Sequence, residues 1–270
     1  MARTDIKEIT ERLEKGVKEV FTSDKYIEYL DFMGKFYDYS FNNTMLIYMQ
    51  MPEASLVAGY KAWKTKFNRQ VRKGEKGIKI IAPCPHKGTR TNKAGEEEEY
   101  TWMSFTTATV FDVSQTDGDD IPTGVCNELT GDVQNFKILA QRLEKVSPVK
   151  IYYEDINDGS NGFYSLIDKR IAIRSGMSEQ QTIKTMIHEI AHAILHDKET
   201  GELKDADHFS REVQAESVAY TVCSMLGLDT SDYSFGYIAG WSSNKDAKEL
   251  SESMDAIRAT AKTIFEGLKN

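Results

Sequence analysis

SEQQTIKTMIHEIAHAILH, residues 178–196, decides how this chain is read. Ile183, Ile187, Ile190, Ala191 and Ile194 recur at helical spacing, and Ser178 with Gln181 three residues on is a capping-box signature. The run therefore predicts a helix opening at Ser178. Inside it, HEIAH at 188–192 sets His188 and His192 four residues apart, stacked on one helix face, with Glu189 rotated by about 100°. Two imidazoles so placed reach a single ion. Zinc is the natural choice, because it takes neutral imidazole and carboxylate, acidifies a bound water and polarises a carbonyl. Glu189 is then the candidate general base.

A catalytic zinc site takes three protein ligands. Glu212 is the best-placed third: nineteen residues separate it from His192, and it lies in REVQAESVAYTVCSMLGL (211–228), a second periodic helix able to pack on the first. Asp207, His208 and Glu216 are the alternatives. This spacing resembles the gluzincin peptidases, and the resemblance implies that Glu216, four residues after the glutamate ligand, orients one of the histidines through its far nitrogen. A glutamate stands here where the best-known gluzincins carry aspartate. The metzincin pattern is excluded, since Leu195 and Lys198 occupy the positions of its glycine and third histidine. His196, one turn beyond His192, suits packing or hydrogen bonding. KRIAIR (169–174) is expected to be an edge strand that receives an extended peptide. Tyr220, Tyr233 and Tyr237 are open choices for the oxyanion donor.

On the N-terminal side, residues 5–20, 24–38 and 41–50 predict three helices, the first from Ile6, Ile9, Leu13, Val17 and Val20. VAGYKAW (57–63), GIKIIAP (77–83) and YTWMSFTTATVFDV (100–113) read as strands, with HKGTRTNKAGEEEE (86–99) as an exposed, mobile hairpin loop. QTDGDDIPTG (115–124) is the candidate linker, dividing domains at 1–125 and 126–270. Beyond it come a helix over 131–146 and short strands in VKIYY, GFYSLI and KRIAIR. Helix, strands, then helices imply an α+β fold.

The chain of 270 residues is long enough for such cores, and 40% hydrophobic with 28% charged residues is ordinary for a globular protein. Neither a signal peptide nor a membrane-length apolar run is visible, so a cytoplasmic protein without membrane contact is expected. Cys84, Cys126 and Cys223 are too widely spaced for a disulfide framework or a Cys-x-x-Cys site and read as reduced thiols. The net charge of −8, with the acid excess in residues 126–270, confines any nucleic-acid contact to a local face.

One such face is visible. Lys61, Lys64, Lys66, Arg69, Arg72, Lys73, Lys76 and Lys79 face a single acid, Glu75, with Tyr60, Trp63 and Phe67 interleaved. Cations tracking phosphates and aromatic rings stacking bases are the chemistry of single-strand binding. The surrounding words, YSFNNTMLIYMQMPEASLVAGYKAWKTKFNRQVRKGEKGIKIIAP (39–83) and VFDVSQTDG (110–118), resemble the N-terminal single-stranded-DNA-binding domain of ArdC-type antirestriction proteins of mobile elements. YIAGW (237–241) resembles the end of the same proteins. The resemblance implies a C-terminal zincin domain related to the ImmA and IrrE metallopeptidases. It further implies single-stranded DNA as partner, zinc as cofactor and protection of incoming DNA as the role. Two other readings stand beside it: a regulatory zinc peptidase cleaving a DNA-bound repressor, and a DNA-binding protein whose zinc is structural.

Overall fold

The computed structural model describes residues 2–91, 97–121 and 133–269. By contacts the chain divides into two compact units, one of residues 1–16 and 45–121 and the other of residues 17–44 and 122–270. The expected boundary at 125 falls outside the described residues. The partition also differs from a single cut, because residues 17–44 group with the C-terminal part of the chain.

The N-terminal helices are α1 (Ala2–Val20), α2 (Ser23–Lys35) and α3 (Phe41–Gln50), as their periodicity predicts. In the first unit, β1 (Val57–Gly59) leads into α4 (Tyr60–Phe67), followed by β2 (Arg69–Val71), β3 (Ile78–Thr91), β4 (Glu97–Asp112) and β5 (Thr116–Gly118). β1, β4 and β3 form an antiparallel sheet in that order, and β2 pairs with β5. The strand expected over 57–63 is thus only three residues long. Gly59 caps a helix instead, on which the Trp63 and Phe67 rings meet one turn apart, tilted by 45° with centroids 4.9 Å from each other. Asn68 ends that helix in the left-handed conformation, with φ 50°. Trp63, Val71 and Ala58 form the core beneath it, with Phe67 and Phe111 packed alongside.

Two further expectations are corrected here. Residues 86–91 and 97–99 are paired strand, not loop, since the β3–β4 register runs from Ile78↔Val110 out to Thr91↔Glu97. Thr116–Gly118, within the expected linker, is the strand that closes on β2. It is pinned by Arg69, whose guanidinium donates to Thr116 Oγ1 and to backbone carbonyls of this segment.

In the second unit, α5 (Val133–Val146) precedes β6 (Lys150–Glu154), β7 (Gly162–Ser165) and β8 (Arg170–Arg174). These strands match the three expected from sequence, but their order is β6-β8-β7, with β8 parallel to β6 and antiparallel to β7. KRIAIR therefore supplies the central strand, not an edge. Its Ile171, Ala172 and Ile173 are all buried, which is what a central strand requires. Then follow α6 (Glu179–Leu195), α7 (His208–Met225), α8 (Ile238–Ser242) and α9 (Ala247–Leu268). α6 buries Ile183, Met186, Ile187 and Ile190 and packs against α7. α2 joins this unit through Tyr26, whose hydroxyl is 2.8 Å from Ser217 Oγ, and Asp31, which accepts from Ser224. No helix among the described residues is long and apolar enough to cross a membrane.

Candidate metal centre

Ser178 accepts from the backbone N–H of Gln181 and so fixes where α6 begins, while the Gln181 side chain turns to Thr185 in place of completing the expected box. α7 is started by Asp207, whose carboxylate accepts from Ser210 N and Oγ. That use removes Asp207 from the ligand candidates. The two starts set the phase of the helices, and their facing sides bring His188, His192 and Glu212 together with ligand atoms within 4.8 Å of one another. His188 Nε2 and His192 Nε2 are 3.1 Å apart, and Glu212 places one oxygen 3.5 Å from the first and the other 3.4 Å from the second. Ligands at about 2.0–2.2 Å from a tetrahedral ion stand roughly 3.3–3.6 Å apart. Each imidazole thus has a Glu212 oxygen near that separation, and the three residues can converge on one ion.

The groups behind the triangle decide what it can bind. Glu216 Oε2 lies 3.2 Å from His188 Nδ1, so the hydrogen of that ring belongs on Nδ1. On the other side, Gln214 Nε2 donates to Ser253 Oγ at 2.9 Å, which leaves Gln214 Oε1 to accept from His196 Nε2 at 2.9 Å. His196 Nδ1 is then bare and accepts from His192 Nδ1 at 3.0 Å. In the neutral rings both Nε2 atoms turn lone pairs towards a carboxylate, and three acceptors with no hydrogen between them form an arrangement that a cation satisfies. His196 thus has the hydrogen-bonding role expected of it. Gln214 and Ser253 had no sequence signal, because their part depends on where α9 lies.

Without an ion the two carboxylates favour a proton on His188, so a cation and that proton compete for its Nε2. Burial works against protonation of His188, but Glu212 and Glu216 outweigh it and push its pKa up to about 10. Glu212 is held far below the usual carboxylate range by His188 and then His192. His196 is lowered to about 4, by burial first and then by His192, which keeps it neutral. Glu189 is buried and its pKa is raised by desolvation, opposed by His188, His192 and a hydrogen bond from the backbone N–H of Tyr164. Burial thus shifts Glu189 towards its protonated form, the direction a general base needs in order to take up a proton.

The centre opens into a cleft of about 530 Å³, with β7 along one wall. β7, not KRIAIR, is therefore the strand beside the site. Gly162 permits this closeness: a Cβ there would stand 2.7 Å from Thr185 Cγ2, 2.8 Å from Ala172 O and 3.3 Å from Glu189 Cγ. Tyr233 and His208 also line the cleft. Tyr220 is buried under the Tyr233 and Phe235 rings, whereas Tyr237 is partly exposed and raised to about 12 by burial, then by Glu216 and Glu212.

Residues 2–113 match the family described as the N-terminal domain of anti-restriction factor ArdC, and residues 144–234 match the IrrE N-terminal-like domain. The chain joins an ArdC-type domain to an IrrE-like domain. Two crystal structures of the antirestriction ArdC protein from plasmid R388 share the fold. The metal-free form has TM-score 0.52 and the Mn(II)-bound form 0.51, each at 19% identity over 86% of both chains. An uncharacterized Bacillus anthracis protein, pXO2-81, is 28% identical over 97% of this chain and 51% of its own length. The chain thus spans about half that relative.

In the ArdC-type domain, the expected DNA-contact residues divide. Tyr60, Lys61, Lys64, Lys66, Lys73 and Lys76 are exposed. Trp63 is not: it is 0% exposed and its indole donates to Phe111 O at 2.9 Å. Its face is spent on the core, so its assignment as a base-stacking residue is corrected. Arg69 is engaged with β5, and Arg72 with Glu75, Asp117 and Ser114 O, so both act first as braces of the β2–β5 pair.

Proposed function

We propose that this protein is a metal-dependent antirestriction factor of a mobile genetic element, with functions divided near residue 125. The ArdC-type part binds single-stranded DNA, and the IrrE-like part holds zinc in a peptidase-type centre. The observation that carries the second half is the convergence of His188 Nε2, His192 Nε2 and Glu212 as acceptors at metal-ligand separations, with each imidazole's other nitrogen already engaged. Zinc in that position would supply Lewis acidity and an acidified water. The Mn(II)-bound structure of the R388 protein supports a cation in this fold.

The chain's own residues supply the rest. Glu189, desolvated and steadied by Tyr164 N–H, takes a proton from a water in the cleft and returns it to a leaving amine. Glu216 holds His188, and the Gln214–His196 pair holds His192, so that neither ring turns as charge moves. The β7 backbone offers an extended peptide a strand to pair with, replacing KRIAIR in that role.

Glu189→Gln separates the readings. It should leave zinc content unchanged and abolish cleavage of any partner trapped by the variant; proteolysis retained by this variant refutes the general-base assignment. Transfer of unmodified DNA into a restricting host, with and without the chain, tests antirestriction. If protection persists in Glu189→Gln, the metal serves structure.

A further inference from the structure

Burial of Trp63 leaves the proposed single-strand binder short of stacking faces where the sequence put them. The β3–β4 ribbon supplies others. Strand alternation sends Lys79, Ile81, Pro83, Pro85 and Lys87 of β3 to one face, opposite Thr109, Thr107, Phe105, Met103 and Thr101 of β4. On this face Phe105 is 58% and Met103 54% exposed. The same face carries Phe111, whose ring lies 6.1 Å from that of Tyr60 at the start of α4, itself 56% exposed.

The opposite face has a different character. There His86 stacks on Trp102 and Trp102 on Tyr100, both at 5.2 Å, with Arg90 over Tyr100. Gly88 leaves room for these rings, since a Cβ would meet Trp102 at 2.9 Å. Those aromatics satisfy one another and stiffen the ribbon. Among the described residues, Phe105 and Met103 enter no such ring contact at the far end of their face.

We infer that the Phe105 face of the β3–β4 ribbon, continuous with Tyr60 and the lysines of α4, is the base-stacking surface for single-stranded DNA. The inference rests on the single-strand reading given above. Charge favours this occupant over a protein partner: no acidic residue occurs in 79–87 or 101–109, and Lys79 and Lys87, both exposed, bracket the apolar patch. Glu97 and Glu99 share the face only beyond Lys87↔Thr101 and bound it. Pro83 and Pro85 remove two backbone donors from β3, which disfavours strand addition along that edge. Phe105 and Phe111 are six residues apart, about 20 Å of strand, a span that several unstacked nucleotides can follow.

The test is fluorescence anisotropy of a labelled 15-mer oligothymidine titrated with the full chain. Phe105→Ala should weaken binding roughly 5- to 150-fold, the weight of one base–aromatic stack. Trp102→Phe, on the other face, should bind like the wild type. Phe105→Trp in the Trp102→Phe background should keep wild-type affinity and lose emission as oligonucleotide is added, because Trp63 and Trp241 are buried. Wild-type affinity in Phe105→Ala, or an unquenched Trp at 105, overturns the assignment of this face alone. A wild-type chain that binds no oligothymidine overturns the single-strand reading as well.

Discussion

Replacing Gln214 with Leu should cost the protein its metal more than its fold. Gln214 touches no ligand atom. Its Oε1 accepts from His196 Nε2, and His196 accepts in turn from His192 Nδ1. Leu fills a similar volume but strands the His196 N–H at a site only 2% exposed, a penalty of about 1–3 kcal/mol. The ring escapes that penalty by carrying its hydrogen on Nδ1, facing His192. His192 must then bare its own Nδ1 and protonate Nε2, the nitrogen 3.1 Å from His188 Nε2 and aimed into the ligand triangle. Loss of a partner behind a metal ligand typically lowers affinity about 10- to 100-fold. Chelator competition should show that loss for zinc, and long-range ¹H–¹⁵N correlation should show the His192 proton moving from Nδ1 to Nε2. Gln214→Glu, which keeps the acceptor, should stay within a few-fold of the wild type. A Leu variant with wild-type zinc affinity and an unchanged His192 tautomer refutes the relay.

Gly162→Ala should destabilise the second unit by about 1–3 kcal/mol, because its Cβ overpacks against Thr185 and Ala172 O; thermal unfolding should register roughly 2–4 °C per kcal/mol. An unchanged midpoint would mean that β7 does not need its close approach to α6. Asp197, held by Lys169, Tyr164 Oη and the N–H groups of Glu199 and Thr200, is lowered from the ordinary 3.8. A depressed carboxylate contributes stability above its unfolded pKa and loses it as pH falls through the folded value. Urea unfolding of the wild type and Asp197→Asn should therefore differ fully at pH 7, with a gap that starts to narrow only below the ordinary 3.8 and closes only below the folded value; a gap independent of pH contradicts this. If about four lysines of the ArdC-type domain contact phosphates, log K for a single strand should fall with log salt at a slope near −2.8, and a flat dependence argues against phosphate contacts.

Periodicity and local chemistry made much of this structure legible. α6, α7 and the three strands of the second unit follow from spacing alone, and so does the pairing of His188 with His192. What sequence could not display was anything set by a third element. KRIAIR and GFYSLI are both short strand-like stretches, and only the register shows that the first is central and the second lies beside Glu189. Trp63 sits among lysines in sequence, yet α4 turns it inward, because a lysine-rich stretch with aromatics at steps of three and four is also an amphipathic helix. Gln214 carried no mark of its role, since its partners His196 and Ser253 come from α6 and α9.

Anomalous difference density at the zinc edge, from crystals of this chain grown with zinc, reports on the metal centre itself. A single strong peak is expected in the second unit, about 2.0–2.2 Å from His188 Nε2, His192 Nε2 and a Glu212 oxygen, with Glu216 on His188 Nδ1 and not on the ion. A peak ligated by His208 or Glu216 in place of Glu212, or no peak between the histidines, contradicts it.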